Sequence, residues 1–143
     1  DDLASHGIDL FTYLLGDIKE AKGIAINQQG LYTAMDAVTG SWIHKSGITG
    51  SGSWNFGSNK REDIVQIYGD NGRINFSIFD DAAVVLEHGT HKESKTITNP
   101  ENIQLYHVQN MKNHLFKNIE HPSTAKTALH TAWILDQITK NNN

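Results

Sequence analysis

Apolar residues recur with a helical period at the start of the chain. At about 100° per residue, four of them fall on one side and predict an amphipathic helix over residues 3–15. These four are Ala4, Ile8, Phe11 and Leu15. Gly16 is the residue type that commonly ends a helix in the left-handed conformation. The pattern therefore predicts that the helix ends at this glycine.

The opposite side of the same helix carries a polar stripe at spacings of four, three and four. Its members are Asp2, His6, Asp9 and Tyr13. Asp2 and His6 stand four residues apart, so they meet on one helical face. A carboxylate beside an imidazole orients the ring and raises its basicity, which suits a general acid/base. From spacing alone, an N-cap aspartate beside a solvated histidine is the favoured interpretation.

Beyond Gly16 the apolar period changes to two, which is typical of strands. Alternation predicts strands at 19–28, 37–45, 48–56, 63–69, 73–79, 83–88 and 92–98. Asp70-Asn71-Gly72 separates 63–69 from 73–79, and its Asn-Gly pair is a strong hairpin signal. Gly89 marks another turn. Alternation does not tell which of Trp42 and Trp54 lies on which face of the sheet.

Two further helices are predicted at 103–118 and 123–139, the second with Ser123 as N-cap. A helix, a run of strands with short turns and two helices are the order of an α+β domain. Short turns make the strands largely antiparallel. We therefore expect one twisted sheet of five to seven strands, with helices on one face and the other face open.

Composition restricts the class of protein. The chain has 143 residues, which fits one compact domain, and 38% of them are hydrophobic. It lacks an apolar run of 18 residues, so no transmembrane helix is expected. A formal net charge of −4 argues against nucleic acid or an anionic membrane as partner. The absence of cysteine excludes disulfides and thiolate chemistry and fits a cytoplasmic chain.

Nucleotide and metal motifs are missing. The closest approach to G-x-G-x-x-G is Gly50, Gly52 and then Asn55, which lacks the third glycine. The alternating flanks of 50–54 favour a strand with a close backbone approach over a phosphate-binding loop. Eight histidines raise the question of a metal, but none forms an H-E-x-x-H motif, and we expect no metal site.

Four segments together resemble one family, the Gfo/Idh/MocA oxidoreductases. Residues 2–10 read DLASHGIDL, followed by YLLG at 13–16, and match the family's D-x-x-x-H-x-x-D pattern just past its nucleotide domain. The other segments are GSGSWNF at 50–56, IYGDNGRI at 67–74 and HPSTAKTALHTAWI at 121–134. The resemblance spans nearly the whole chain, in order.

The resemblance implies that residues 1–143 form the C-terminal substrate and oligomerisation domain of an NAD- or NADP-dependent enzyme acting on a sugar or polyol hydroxyl. The Rossmann domain and the family's E-K-P lysine are not in this sequence. This chain is therefore expected to bind no cofactor itself. The family's catalytic pair carries over onto Asp2 and His6, which reverses the preference drawn from spacing alone. His6 would move the hydroxyl proton, and Asp2 would orient His6 or bind a substrate hydroxyl.

The resemblance also implies a homo-oligomer, a dimer or tetramer joined through the open face of the sheet. The face is large enough for a standard interface of about 1,000 Å² or more in total. The alternative function is a stand-alone, non-catalytic module for ligand binding or dimerisation. The sequence immediately upstream of Asp1 would distinguish the two, because a nucleotide-binding βαβ segment there would indicate the enzyme.

Overall fold

The structure is a computed structural model that describes the backbone of residues 2–140 and the side chains of residues 3–140. Its helices are α1 (Asp2–Leu15), α2 (Leu105–Lys117) and α3 (Ala125–Thr139). Its strands are β1 (Ile18–Ile26), β2 (Ala37–His44), β3 (Thr49–Asn55), β4 (Val65–Gly69), β5 (Gly72–Phe76), β6 (Val84–His88) and β7 (His91–Lys95). Each predicted helix and strand is present, with ends shifted by a few residues.

The seven strands form two antiparallel sheets, in the orders β1-β2-β3 and β4-β5-β6-β7. The α+β class and the antiparallel pairing are confirmed, whereas the single sheet expected from the sequence is replaced by two. Among the described strands, β3 pairs only with β2 and β4 only with β5. The segment between β3 and β4, residues 56–64, is turns and irregular backbone rich in polar residues, so it does not continue a ladder.

The chain divides into two compact units. Unit 1 consists of Asp1–Asn59 and Pro122–Asn143, and unit 2 of Lys60–His121. Unit 1 therefore contains α1, the three-stranded sheet and α3, while unit 2 contains the four-stranded sheet and α2. The single domain expected from chain length stays a prediction. Among the described residues, no helix is long and apolar enough to cross a membrane.

A row of glycines crosses the three-stranded sheet under α3. Gly23 pairs with Gly40, and Gly40 pairs with Gly52. A Cβ built on Gly23 would lie 2.6 Å from Ile138 Cγ2, and one on Gly40 would lie 3.0 Å from Ile138 Cδ1. The absence of these Cβ atoms lets the helix approach the sheet backbone, and Ile138 is fully buried there.

The core of unit 1 lies between this sheet face and the two helices. Its buried members are Ile8, Ile18, Ala21, Trp42, Ile134 and Ile138. Trp42 lies over Gly50 and stacks on Phe11 of α1, with ring centroids 5.7 Å apart. Trp54 lies over Gly52 of the same strand face. Both tryptophans therefore belong to the helix-covered face, which alternation alone left open, and 50–54 is a strand as predicted.

Helix α3 begins at a different residue from the one predicted. Its N-cap is Thr124, whose hydroxyl oxygen accepts a hydrogen bond from Thr127 N–H, while Thr127 Oγ1 accepts one from Thr124 N–H. This reciprocal capping box satisfies two backbone donors at once. The prediction of Ser123 was wrong by one residue, because threonine at the third helical position completes a box only with Thr124.

The long connection from β1 to β2 is held by one carboxylate. Asp36 is 1% exposed, and its two oxygens accept hydrogen bonds from the N–H groups of Gln28 (2.6 Å) and Gln29 (2.9 Å). Its own N–H donates to Ile26 C=O at 3.0 Å. A buried carboxylate is stable when backbone donors satisfy it in this way, so Asp36 fixes both ends of the loop.

The β4–β5 hairpin is confirmed, and its turn is one residue shorter than the predicted Asp70-Asn71-Gly72. Gly69 pairs with Gly72, which leaves Asp70 and Asn71 as the two-residue turn. Gly72 is the first residue of β5. A Cβ there would collide with the Glu87 carbonyl of the neighbouring strand. The glycine is therefore needed for a close approach of β6 rather than for the turn.

In unit 2, Asp63 anchors the chain that follows β5. Its carboxylate accepts hydrogen bonds from the Ser77 hydroxyl and from the N–H groups of Ile78 (3.2 Å) and Phe79 (2.6 Å). Burial alone would raise the pKa of Asp63. The hydrogen bonds from Ser77 and the backbone outweigh that effect and hold the pKa below its usual value of 3.8.

We predict that Gly23→Ala lowers the free energy of unfolding by about 1–3 kcal/mol, the usual cost of inserting an atom into a packed core. The new Cβ would lie 2.5 Å from the Thr39 carbonyl oxygen and 2.7 Å from that of Ile138. Urea denaturation followed by circular dichroism measures the loss. The control is Gly69→Ala, whose Cβ would meet nothing closer than 3.8 Å. Equal effects of the two changes would contradict the close approach.

We predict that Asp63→Asn destabilises the protein at pH 7 by about 1–3 kcal/mol, because a charged acceptor with several donors is lost. Since the folded pKa of Asp63 is lowered, its stabilisation is present above pH 3.8 and declines as the pH falls through the lower folded value. The stability gap between the wild type and the variant should narrow below about pH 4. Thermal unfolding from pH 7 to pH 3 measures it, with Asp70→Asn in the exposed turn as control. A gap independent of pH would contradict the assignment.

Candidate active site on the first helix

Helix α1 is held on the sheet by its apolar side. Ile8 is fully buried in the core, and Phe11 stacks on Trp42 with an interplanar angle of 17°. Gly16, with φ of 85°, ends the helix in the left-handed conformation, as the sequence predicted. The side of α1 that carries the polar stripe is therefore fixed relative to the sheet of unit 1.

A buried histidine fixes the C-terminal end of α1. His44 of β2 is 1% exposed, and its Nδ1 lies 2.6 Å from the Gly16 carbonyl oxygen. Because a carbonyl only accepts, Nδ1 carries the proton of this hydrogen bond. His44 Nε2 is buried without a hydrogen-bond partner among the described residues. The ring therefore joins β2 to the residue at which α1 stops.

The next residues continue this attachment. Lys45 N–H donates to the Asp17 carbonyl at 2.8 Å, and the Lys45 ammonium lies 2.7 Å from Asp17 Oδ2. The hydrogen bond and charge of Lys45 lower the pKa of Asp17. Both side chains are largely exposed, so this ion pair adds little stability. The ion pair holds the connection between α1 and β1 and does not indicate a binding or catalytic site.

His6 lies on the exposed side of α1, as the stripe predicted. Tyr13, two turns further on, is 69% exposed. The backbone of Asp2 lies in α1, but its side chain lies outside the described residues, so its pairing with His6 stays a prediction. The stripe therefore presents an imidazole and a phenol at the surface of unit 1.

Asp9 differs from its neighbours in the stripe because it turns towards α3. Its side chain is half-buried, and its Oδ1 accepts a hydrogen bond from the Thr131 hydroxyl at 3.3 Å. Thr131 is 5% exposed. The pair joins α1 to α3 three residues after His6, on the same helical face. It keeps the histidine at a defined position relative to α3.

Sequence reasoning found the helix and His6 but missed His44 and Thr131. The sequence feature that could have pointed to Thr131 is a polar residue on the apolar side of α3. The feature that could have pointed to His44 is its spacing of two from Trp42 and four from Gly40, which places it on the covered face of β2. Neither feature predicts the hydrogen-bond partner, because Gly16 is distant from His44 in the chain and Asp9 is distant from Thr131.

The described residues contain no group of three or more His, Asp or Glu side chains placed to hold a metal ion. The glycines of 50–54 lie in β3 beneath Trp42 and Trp54, so they form no phosphate-binding turn. What the arrangement offers chemically is a surface imidazole on a helix fixed by the core, which suits transfer of a proton to or from a bound molecule.

Residues 1–75, more than half of the chain, match the family model described as the GFO/IDH/MocA C-terminal domain. The chain belongs to this family. The resemblance drawn from the sequence motifs is thereby confirmed. The matched residues include α1, the three-stranded sheet and the β4–β5 hairpin as far as Asn75.

A curated relative of the domain is "Oxidoreductase P35" of Formosa agariphila, 27% identical over 135 residues. The match covers 94% of this chain and 41% of the relative. The chain thus spans about two fifths of the length of the curated relative that it matches.

Solved structures share the fold of the domain at low sequence identity. An oxidoreductase of Agrobacterium radiobacter, solved with NAD+, L-tartaric acid and magnesium, has a TM-score of 0.80 at 17% identity. A biliverdin reductase of Synechocystis, solved with biliverdin and NADP+, has a TM-score of 0.75 at 15% identity. Each match covers 94% of this chain, and 44% and 43% of those chains. At such identities the likeness shows the fold alone.

Proposed function

We propose that this domain supplies the proton-transfer histidine of an NAD- or NADP-dependent oxidoreductase acting on a sugar or polyol hydroxyl. The observation that carries the proposal is the placement of His6. It is exposed on a helix whose other side is locked into the core by Ile8 and Phe11. Membership of the GFO/IDH/MocA family supports the reaction class.

In this reaction His6 accepts the proton of the substrate hydroxyl while the carbon atom loses a hydride. An imidazole at the surface is accessible to a bound substrate and can take that proton as a general base. Asp2, one helical turn earlier, would orient the ring or bind a neighbouring substrate hydroxyl. The Asp9 carboxylate accepts a hydrogen bond from Thr131. Its role is therefore to position α1, and His6 with it, rather than to contact the substrate.

The chain itself does not fit a nicotinamide nucleotide. It lacks the glycine-rich turn, and its nearest candidate glycines are covered by indole rings. The nucleotide would therefore be held by another domain and would supply the hydride acceptor there. A similar fold, with a TM-score of 0.80 at 11% identity, is found in the solved structure of an enzyme of Acidithiobacillus ferrooxidans, UDP-N-acetylglucosamine 3-dehydrogenase, whose name specifies a sugar derivative as substrate. That substrate class supports the proposal.

The open face of the three-stranded sheet is proposed as a homo-oligomer interface. Its residues point away from α3 and are mostly hydroxyl-bearing or aliphatic. They include Ile24, Thr39, Ser41, Ser51 and Ser53. Ile24 is 67% exposed and lies across from Thr39. A flat face of short side chains with an exposed isoleucine allows two copies to approach closely.

We predict that His6→Ala lowers kcat by about 10²–10⁴-fold in the protein that combines this domain with its nucleotide-binding domain. Cofactor affinity should stay the same, because this domain does not hold the nucleotide. The matched control is His88→Ala, an exposed histidine at the end of β6 in unit 2. Steady-state kinetics on a panel of sugars and polyols provides the measurement.

Turnover of His6→Ala within threefold of the wild type would remove His6 from the mechanism. A protein without dehydrogenase activity on any sugar or polyol, yet with saturable binding of one of them, would favour the alternative, a non-catalytic binding module.

We predict that the chain self-associates at tens of micromolar and that Ile24→Lys shifts it towards the monomer. A buried ammonium opposite Thr39 would lack a counter-ion at the interface. Sedimentation equilibrium measures the mass, with 15.9 kDa expected for a monomer. Ile64→Lys is the control, since Ile64 is equally exposed, at 68%, but lies in the segment before β4. A wild-type chain at the monomer mass would mean that the face is solvated.

A further inference from the structure

A shallow depression lies at the edge of the three-stranded sheet, where the start of β1 meets the end of α3. Its polar and aromatic lining consists of Lys19, Glu20, Lys22, Trp133, Gln137 and Lys140. All of these residues belong to unit 1. The depression makes no use of His6, so its role is independent of the proposed function.

The charge of the depression is opposite to that of the whole chain. Three lysines and one glutamate give it a formal charge of +2, whereas the chain carries −4. Glu20 lies 3.4 Å from the Lys22 ammonium and offsets that lysine. Lys19 and Lys140 form no ion pair with any described residue. Within residues 3–140, two ammonium groups at the depression therefore have no carboxylate paired with them.

The local backbone explains why these lysines gather there. The register of β1 with β2 shifts between Ile18 and Glu20, which is the mark of a β-bulge, and Lys19 lies at this point. A bulge re-aims the side chains around it. Since β1 is the edge strand of its sheet, the backbone groups of its outer side are left without a strand partner.

An aromatic ring completes the depression. Trp133 of α3 is 39% exposed and stacks on His130, with ring centroids 5.6 Å apart and planes at 16°. His130 is itself held, because its Nε2 accepts a hydrogen bond from Ile18 N–H at 3.2 Å. The indole is thus supported by a ring fixed to β1, and it keeps more than a third of its surface open. A supported, half-open indole is a suitable platform for a flat ring.

We propose that this depression binds a small organic anion that carries a flat ring together with a phosphate or carboxylate group. The ring lies against Trp133, and the anionic group lies between Lys19 and Lys140, with Gln137 as a further donor. The competing explanation is that the lysines merely protect an exposed edge strand from pairing with other chains. That explanation requires no ligand and no preference for aromatic anions.

The test titrates the chain with phenyl phosphate, inorganic phosphate and phenol, and follows the backbone amide signals of Glu20, Lys22 and Gln137 in a ¹H–¹⁵N spectrum. These three residues line the depression and are unchanged in every variant below. Phenyl phosphate should bind about 2- to 10-fold more tightly than inorganic phosphate, because stacking adds to the ionic contact. Phenol should not saturate. A parallel titration with benzoate tells whether a carboxylate replaces the phosphate.

The double variant Lys19→Gln, Lys140→Gln should weaken phenyl phosphate binding about fivefold, the expected loss of two exposed ionic contacts. Its matched control is Lys112→Gln, Lys117→Gln in α2, which removes the same charge from unit 2. Trp133→Leu should abolish the preference for phenyl phosphate over inorganic phosphate while leaving phosphate binding in place. The preference is a ratio within one variant, so a modest loss of stability does not obscure it.

Three results would overturn the proposal. One is equal weakening by the control and the test pair, which would indicate attraction by overall charge only. Another is an unchanged preference for the aromatic anion in Trp133→Leu. The third is the absence of a saturable shift for either anion at about 20 mM, where weak ionic contacts of this size would still be detected.

Discussion

The close approach of α3 to the sheet is the constraint on which the rest of unit 1 depends. A helix normally stands off a sheet by the thickness of the side chains between them. Here Gly23 and Gly40 face each other across β1 and β2, and the Ile138 side chain occupies the space that their Cβ atoms would take. The approach buries Ile138 and Ile134 completely and brings Thr131, on the same helix, within reach of α1.

The position of α1 follows from this contact. Trp42 fills the next place along β2 and presents its ring to Phe11, while Ile8 packs into the same cluster. Two polar contacts then secure the helix, one at its C-terminal end, where His44 bonds the Gly16 carbonyl, and one at its middle, where Thr131 bonds Asp9. The position of the exposed His6 is thereby defined by the packing of the helix that carries it. This arrangement suits a domain that contributes one reacting group to a site completed elsewhere.

Unit 2 is stabilised in a different way, because its described core is small. Val65 is its buried aliphatic residue, and much of its order comes from polar contacts such as those of Asp63. Across its sheet, Glu87 lies between Arg73 and Lys92, and the hydrogen bond from Arg73 lowers the pKa of Glu87. The side chains of these ion pairs are partly exposed to solvent, so the pairs contribute little to the free energy of unfolding. Their main effect is on the register of the paired strands.

The sequence by itself determined the secondary structure, the α+β class, the family and the exposure of His6. Helical and alternating hydrophobic periods are local properties of the chain, so they can be recognised in the sequence before the tertiary structure is known. The end of α1 at Gly16 and the hairpins before Gly72 and around Gly89 followed from single residues in the same way.

Only the tertiary structure decided how the strands divide into two sheets, which face holds Trp42 and Trp54, and which buried groups hold α1. Alternation assigns the residues of a strand to two faces, but it does not indicate which of the two faces a helix covers. His44 meets Gly16 across 28 residues, and Thr131 meets Asp9 across 122. The lysines at the edge of β1 likewise meet Trp133 from the far end of the chain. Such contacts depend on how the elements pack, and no local period encodes that.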